Sequence, residues 1–356
     1  MDSALERILE AANSAPSGEN CQPWHFVVRG NIVELHLLPE RDQSAYSWGQ
    51  RASFLANGAV LENLTIAASV EGFSANISYF PNAEDNFHVA TVTLSKDDSV
   101  HPDPLAAYVG KRVTNRKPFS KEALSKEVRE RILEAARASG YGTFVLVEER
   151  SAIERLGRVG STNEEVMLAN RSLHHFFFSH VSWTKEEDAE KKIGFYIKTL
   201  ELPPPAQAMF KLFKHWRVMR VLSQIGFTKI VAKQNAVTNA SAAAIGGIVL
   251  EGVAPIDFVR IGRTVERVWL TATALGLSFQ PLTGVLFFDL LIENGGGSKF
   301  FSPAEQETIR TAYARAAEAF QAGDRHVAFM FRVGKGEKPS AQAVRFPFRD
   351  AVSVVS

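Results

Sequence analysis

The sequence predicts an α+β fold duplicated within one chain, with mixed or antiparallel sheets flanked by helices. Three observations carry this expectation. The hexapeptide Arg-Ile-Leu-Glu-Ala-Ala occurs at residues 7–12 and again at 131–136. A longer segment, GAVLENLTIAASVEGFS at 58–74, aligns with GRTVERVWLTATALGLS at 262–278, keeping Gly, Glu, Ala, Gly and Ser at the same relative places. Each segment is followed by a short strand-like run, so helical and strand periodicities alternate in the same order twice.

The elements follow in order. Residues 3–13 read as a short amphipathic helix ended by the Pro16-Ser17-Gly18 turn. Strand-like runs at 24–29 and 32–38 are joined by Gly30-Asn31, a hairpin signal. Residues 52–70 have helical periodicity and stop at Gly72, a C′ glycine. Residues 74–80 and 88–94 alternate as strands, and His101-Pro102-Asp103-Pro104 then punctuates the chain. The expected division is therefore a first half over 1–103 and a second over 104–356.

The second half opens with the basic stretch KRVTNRKPF at 111–119, then a helix over 121–138, a strand at 144–147 and helices to about 178. Residues 240–250, the most apolar segment, read as a buried strand. A helix at 258–275 ends on Gly276, strand and turn follow at 278–284, then a glycine tract at 295–297, a helix at 303–321 and a strand at 327–333. The two repeated segments are offset by different amounts, which places a helical insertion at about 183–233. That insertion holds Pro203-Pro204-Pro205 between amphipathic stretches at 186–200 and 207–225. Its aromatic residues (Phe195, Tyr196, Phe210, Phe213, Trp216) suit either a packing arm or a lid.

A chain of 356 residues with 46% hydrophobic residues suffices for a substantial core. Lys plus Arg number 40 against 39 Asp plus Glu, a net charge of +1. That balance argues against nucleic acid or an anionic membrane as partner, while leaving room for a local basic pocket. The single cysteine, Cys21, excludes an intrachain disulfide framework and a multi-cysteine metal site. With no signal-like or 18-residue apolar run, the expectation is a soluble cytoplasmic protein.

The two hexapeptide copies have different sequels. The first runs on into APSGENCQPWHFVV at 15–28, while the second passes through Ala138, Ser139, Gly140, Tyr141 and Gly142 straight into FVLV. The PSxxNxQPW string, the RxTNRxxF string opening the other half and the late GLSFQPLTG together resemble the nitroreductase family of FMN-dependent oxidoreductases. The resemblance covers most of the chain apart from the insertion. It implies FMN as cofactor and NAD(P)H as hydride donor, with a ping-pong reduction of a small organic acceptor. It also implies a set of flavin contacts. Arg112, Thr114 and Arg116 would hold the phosphate and the pyrimidine edge. Pro16, Ser17 and Asn20 would approach ring and ribityl from the other side. Pro281, Leu282, Thr283 and Gly284 would border the ring near its reactive nitrogen, and Arg345 would be a further phosphate ligand.

The chemistry suits those residue types. Guanidinium forks and hydroxyls hold phosphates well, and a cation near the pyrimidine edge stabilises reduced flavin. Hydride transfer needs no catalytic acid, nucleophile or metal from the protein, and no Ser-His-Asp, HExxH or CxxC constellation is present. In this family each flavin lies at a homodimer interface, with PSxxN coming from the partner. Here one complete set can be assembled within the chain. The mirror set would need RxTNR ahead of Arg7 and PSxxN after Ala136. The expectation is one FMN per chain in a monomer that mimics a dimer, resembling the single-chain, lidded, dormancy-associated nitroreductase-like proteins. Two alternatives stay open: a flavin-sequestering or redox-sensing protein with little reductase activity, and a tailoring dehydrogenase. Cys21, His174 and His175 read as packing residues, and Gly295-Gly296-Gly297 as a flexible loop. Arg51 stands either on the surface or toward the ligand.

Overall fold

A computed structural model describes residues 2–355. The first half runs α1 (Ser3–Asn13), β1 (Trp24–Arg29), β2 (Ile32–Leu37), α2 (Arg51–Val70), β3 (Phe73–Tyr79) and β4 (His88–Lys96). The second begins with α3 (Lys126–Ser139) and β5 (Thr143–Val147). A long helical excursion follows: α4 (Arg150–Ala169), α5 (Arg171–Ser179), β6 (Val181–Ser182), α6 (Lys185–Lys191), β7 (Phe195–Tyr196), α7 (Pro204–Phe213), α8 (Trp216–Gln224) and α9 (Phe227–Ala240). The chain then returns through β8 (Ala244–Leu250), α10 (Pro255–Ala274), β9 (Ser278–Pro281), α11 (Gly284–Glu293), α12 (Gly297–Phe300), α13 (Pro303–Ala319), β10 (His326–Gly334) and β11 (Val352–Val354).

The duplication is visible in the sheets. The first sheet has the order β11-β1-β2-β4-β3 and the second β5-β8-β10-β9. Leaving aside the C-terminal strand, both follow the order first, second, fourth, third, with every pairing antiparallel. The Gly30-Asn31 hairpin of the first sheet is replaced in the second by the excursion over 148–243, within which residues 183–233 fall. β11 crosses back to pair with β1 in parallel, Phe26 opposite Val352, so the chain's end is stitched into its first sheet.

Local sequence explains the elements. Asp2 caps α1 by accepting from Ala4 N at 3.3 Å, and Leu5, Ile8, Leu9 and Ala12 bury one face of that helix. β1 alternates, with Trp24, Phe26 and Val28 turned into the core and His25, Val27 and Arg29 outward. β8 is buried at all seven positions, as its apolar run requires at the centre of a covered sheet. Among the described residues, no helix is long and apolar enough to cross a membrane.

α2 and α10, the aligned segments, cross at their matching glycines. A Cβ on Gly58 would lie 1.9 Å from Val259 O, and one on Gly262 would lie 2.0 Å from Leu55 O. The contact is reciprocal in the alignment, since Leu55 matches Val259 as Gly58 matches Gly262. That is the signature of an isologous interface, here folded into one chain.

Two local expectations differ. Residues 186–200 do not form one helix. α6 ends at Lys191, Lys192 turns to φ 57° and Gly194 to φ 88°, and the chain becomes β7 and a 3-10 turn. Gly194 is needed there because a Cβ would meet His180 O at 2.0 Å. The glycine tract at 295–297 leads into α12 instead of a free loop, and Gly296 lies so close to Leu291 that a Cβ would meet its Cδ1 at 2.3 Å.

Candidate functional site

The PSGEN turn after α1 is held in an unusual conformation. Glu19, Asn20 and Gln22 have φ of 44°, 54° and 50°, interrupted by Cys21 at φ −74°, and these positive values cost side-chain-bearing residues energy unless the surroundings enforce them. Enforcement comes from a hydrogen-bond web. Gln22 N donates to Ser17 Oγ at 2.9 Å. Asn20 Nδ2 donates to Val344 O at 2.8 Å and Lys192 O at 3.2 Å, and Gln22 Nε2 donates to Lys192 O at 2.8 Å. Phe346 N donates to Gln22 Oε1 at 2.9 Å. Trp24 Nε1 reaches Asn13 Oδ1, whose amide in turn donates to Phe346 O, both at 2.9 Å. The motif thus binds the C-terminal tail and the segment after α6 to the first half. Pro16 sits partly exposed between α1 and this web.

Two arginines converge where α1 ends. Arg112, 4% exposed, donates Nη2 to Ser14 O at 3.0 Å, lies 3.1 Å from Glu266 Oε1 and stacks 4.6 Å over Trp269. Arg345 donates Nη1 to the carbonyls of Ala15 and Asn13. Burial, with Arg112 beside it, lowers the Arg345 guanidinium to about 9. Glu266, fully buried on α10, is pushed up to about 7 by desolvation, against the pull of Arg112 and Arg345. The C-terminal carbonyls of a helix favour cations, yet two guanidiniums here face a single carboxylate.

A second group lies across the turn. Thr114 bridges in parallel to Phe279, and Asn115 N donates to Phe279 O at 3.0 Å, which sets the RxTNR strand beside β9. The PLTG string follows directly: Leu282 N donates to Met330 O at 2.8 Å, and Thr283 stands at the N-terminal edge of α11 without a side-chain cap bond, so the first N–H groups there have no partner within the helix. Gly284 packs closely against the Asn163 side chain, so a Cβ there would meet Oδ1 at 2.1 Å and force that amide to move. Arg116 Nη1 donates to Thr199 O at 3.1 Å and lies 5.5 Å from the Phe195 ring. Burial lowers it to about 10, with Glu164 and Glu201 opposing.

Glu19, Tyr46, Arg116, Glu164 and Arg345 share a property. Each is only partly exposed, and burial is the first cause of its displaced protonation behaviour. Burial and Asp42 push Glu19 up to about 8, leaving it a neutral hydrogen-bond donor near neutral pH. Burial likewise raises Glu164 and Tyr46. Of the eleven residues singled out by motif, Arg112 and Arg345 meet the backbone around the PSGEN turn that holds Pro16, Ser17 and Asn20, while Thr114 pairs beside β9, from which residues 281–284 follow, and Arg116 reaches Thr199 O.

Sequence reasoning passed over several participants. Glu19 stands at a variable position inside PSxxN. Tyr46, Asn163 and Glu164 belong to no string and arrive only through tertiary packing. Arg332, 0% exposed, donates to Gln280 Oε1 at 2.7 Å, Thr238 O at 2.8 Å and Lys117 O at 2.8 Å, so it pins the RxTNR segment against β9. Arg51 turns away to Gly49 O and Val253 O. His174 is locked onto Phe213 O at 2.7 Å between Phe178 and Trp216. Desolvation, with Asp42 and Glu19 near, raises the Cys21 thiol well above its ordinary value, so it stays protonated.

No protein-family model matches the chain. It is 24% identical over 283 residues, 80% of its length, to an uncharacterized protein of Mycobacterium tuberculosis CDC 1551. It is 33% identical over 119 residues, 33% of its length, to the protein of that species called "Putative NAD(P)H nitroreductase acg". The matches span 39% and 36% of those relatives' own lengths. Among solved structures it resembles the FMN-dependent nitroreductase NfnB from Mycobacterium smegmatis in complex with NADPH. That match has a TM-score of 0.42 and 10% identity over 71% of this chain and 98% of that one. Over a third to two fifths of its length the chain is thus related in sequence to Mycobacterium tuberculosis proteins called putative NAD(P)H nitroreductases.

Proposed function

We propose that the chain is an FMN-dependent oxidoreductase of nitroreductase type, holding one flavin per chain as a monomer built from halves 1–103 and 104–356, with the segment 183–233 inserted. One observation carries the reading: Arg112 and Arg345 stand together, enclosed, with Glu266 as their one carboxylate. Surplus guanidinium charge suits a phosphate monoester, which takes two or more charge-assisted hydrogen bonds from such forks. Ser17 and Asn20 hold the turn between that end and the ring end. Thr114, Arg116 and residues 281–284 border the far end, where Pro281 and Leu282 contribute an apolar wall and Thr283 and Gly284 contribute N–H groups. Bound FMN would supply the redox chemistry, accepting hydride from NAD(P)H and passing the electrons to a small organic acceptor in ping-pong order. The protein's part is to hold, orient and exclude water. A chain with one cysteine suits the reducing cytoplasm.

The purified chain should carry FMN, and anaerobic NADPH or NADH should bleach its absorbance near 450 nm (roughly where oxidised flavin absorbs). A chain that takes up no FMN would defeat the proposal. One further observation favours a second reading. Residues after α6 lie directly on the site: Lys192 O accepts from Asn20 and Gln22, Gly194 N donates to Glu19 O at 2.6 Å, and Thr199 O accepts from Arg116. A covered flavin that stays yellow under both donors would make this a sequestering or sensing protein.

A further inference from the structure

The outer face of the first sheet, turned away from α2, carries a separate cluster. β1, β2 and β4 lie side by side, and their pairing sets His25 opposite His36 and His36 opposite His88. Directly opposed residues on one face have Cβ atoms about 4.5–5.5 Å apart, so pairing makes one row of three histidines distant in sequence. Glu34, two residues before His36, projects from the same face.

The row is already convergent. The His36 and His88 rings stack with centroids 4.5 Å apart, and Glu34 Oε2 lies 3.4 Å from His36 Nε2. One donor atom from each of Glu34, His36 and His88 lies within 4.8 Å of the others, and no other group of this kind occurs among the described residues. Tetrahedral zinc with bonds of about 2.0–2.1 Å sets its ligand atoms about 3.4 Å apart. The Glu34–His36 edge has that length, and the His88 donor, within 4.8 Å of both, would close in on binding.

The surroundings suit a ligand set. Arg29 Nε donates to Glu34 Oε1 at 3.3 Å, orienting the carboxylate while leaving Oε2 toward His36. Thr91 Oγ1 lies 2.9 Å from His88 Nε2. Such outer partners fix ring orientation around metals. All three residues are half-buried, so an ion has access and water can complete its shell.

We propose that Glu34, His36 and His88 form a binding site for a divalent d-block cation of the Zn2+, Ni2+ or Cu2+ class, clamping β2 to β4. Two imidazoles and one carboxylate favour these ions over Mg2+ and Ca2+, which take oxygen ligands.

The test uses the full chain, free of any histidine tag and stripped with EDTA, titrated calorimetrically with ZnCl2 and with MgCl2 as control. One Zn2+ per chain at micromolar affinity is expected, with a rise in Tm and no heat from Mg2+. His36→Gln and His88→Gln should each weaken Zn2+ binding tenfold or more. Because either variant could perturb the sheet, Cu2+ bound to the unaltered chain provides a second readout. Its electron paramagnetic resonance should carry nitrogen hyperfine coupling from imidazole. Absence of Zn2+ binding, binding unchanged in both variants, or a Cu2+ spectrum without nitrogen coupling would overturn the site.

Discussion

Among the described residues Arg345 donates only to the carbonyls of Asn13 and Ala15, and burial with Arg112 beside it lowers its pKa to about 9. An anion is what this position lacks. A hydrogen bond involving a charged group is worth about 1.5–3 kcal/mol, so Arg345→Gln should raise the Kd for FMN by tenfold or more, as read by flavin fluorescence quenching. An unchanged Kd would remove the phosphate reading. Arg112 is a less clean probe because its loss also strips Glu266 of its partner. A different residue governs pH behaviour. Asp289 on α11, 2% exposed, is pushed up to about 7 by burial and then by Glu293. Its folded value exceeds its unfolded one, so the folded state binds the proton more tightly. The stability it contributes is complete below about pH 4 and is lost as pH rises through 7. Asp289→Asn should remove that share, flattening urea-unfolding stability between pH 5 and 8; an unaltered slope would exonerate the residue. Neither Asp289 nor Arg332 was legible in the sequence, because each sits in an apolar run whose periodicity signals core and says nothing of charge. Arg112, Arg116 and Asn20 stand out as candidates in the sequence because they belong to short contiguous strings.

α2 and α10 pack through glycines that leave no room between backbones. A Cβ at either Gly58 or Gly262 would lie about 2 Å from a carbonyl oxygen of the opposite helix, and backbone cannot rotate aside as a side chain can. Gly58→Ala should therefore cost at least the 1–3 kcal/mol typical of overpacking, about 3 kcal/mol or more. Gly110→Ala, with nothing within 4 Å of the added carbon, should be close to neutral. Equal denaturation midpoints for the two variants would refute the close crossing. This pair of helices was the most readable part of the fold, since the close approach constrains both copies and leaves an alignable trace. The segment after α6 was the least readable. Charged and aromatic spacing over 186–200 imitates a helix, but Gly194 must pass against His180 O, and that long-range contact leaves no periodic mark. The excursion over 148–243 was likewise only partly legible, because helices α4 and α9 look like any others until β5 and β8 are seen to be neighbours.

A fold built twice poses the question of a second site, and charge answers it. Glu62 matches Glu266 across the repeat, and the two environments have diverged. Glu266 meets Arg112, with Arg345 near, so two guanidiniums share one carboxylate. Glu62 meets Arg263 Nε at 2.9 Å and Arg267 Nε at 2.5 Å, and Arg267 also reaches Asp103 at 2.9 Å, while Arg263 takes Tyr79 as well. Two arginines are there matched by two carboxylates, and no charge is left over for an anionic ligand. The turn differs too. α1 leads into the PSGEN loop with its left-handed residues, whereas α3 ends on Gly140 in the left-handed region and passes almost at once into β5. With neither surplus cation nor turn, the mirror position offers no comparable place for an anion. The saturated chain should therefore hold about one FMN, measured as flavin absorbance released on denaturation against protein from amino-acid analysis. It should do so while sedimenting as a monomer, since both contributing halves lie on one chain. A ratio near two, or flavin uptake that appears only with dimer formation, would mean that Glu62 and its arginines open to a ligand and that the asymmetry is not functional.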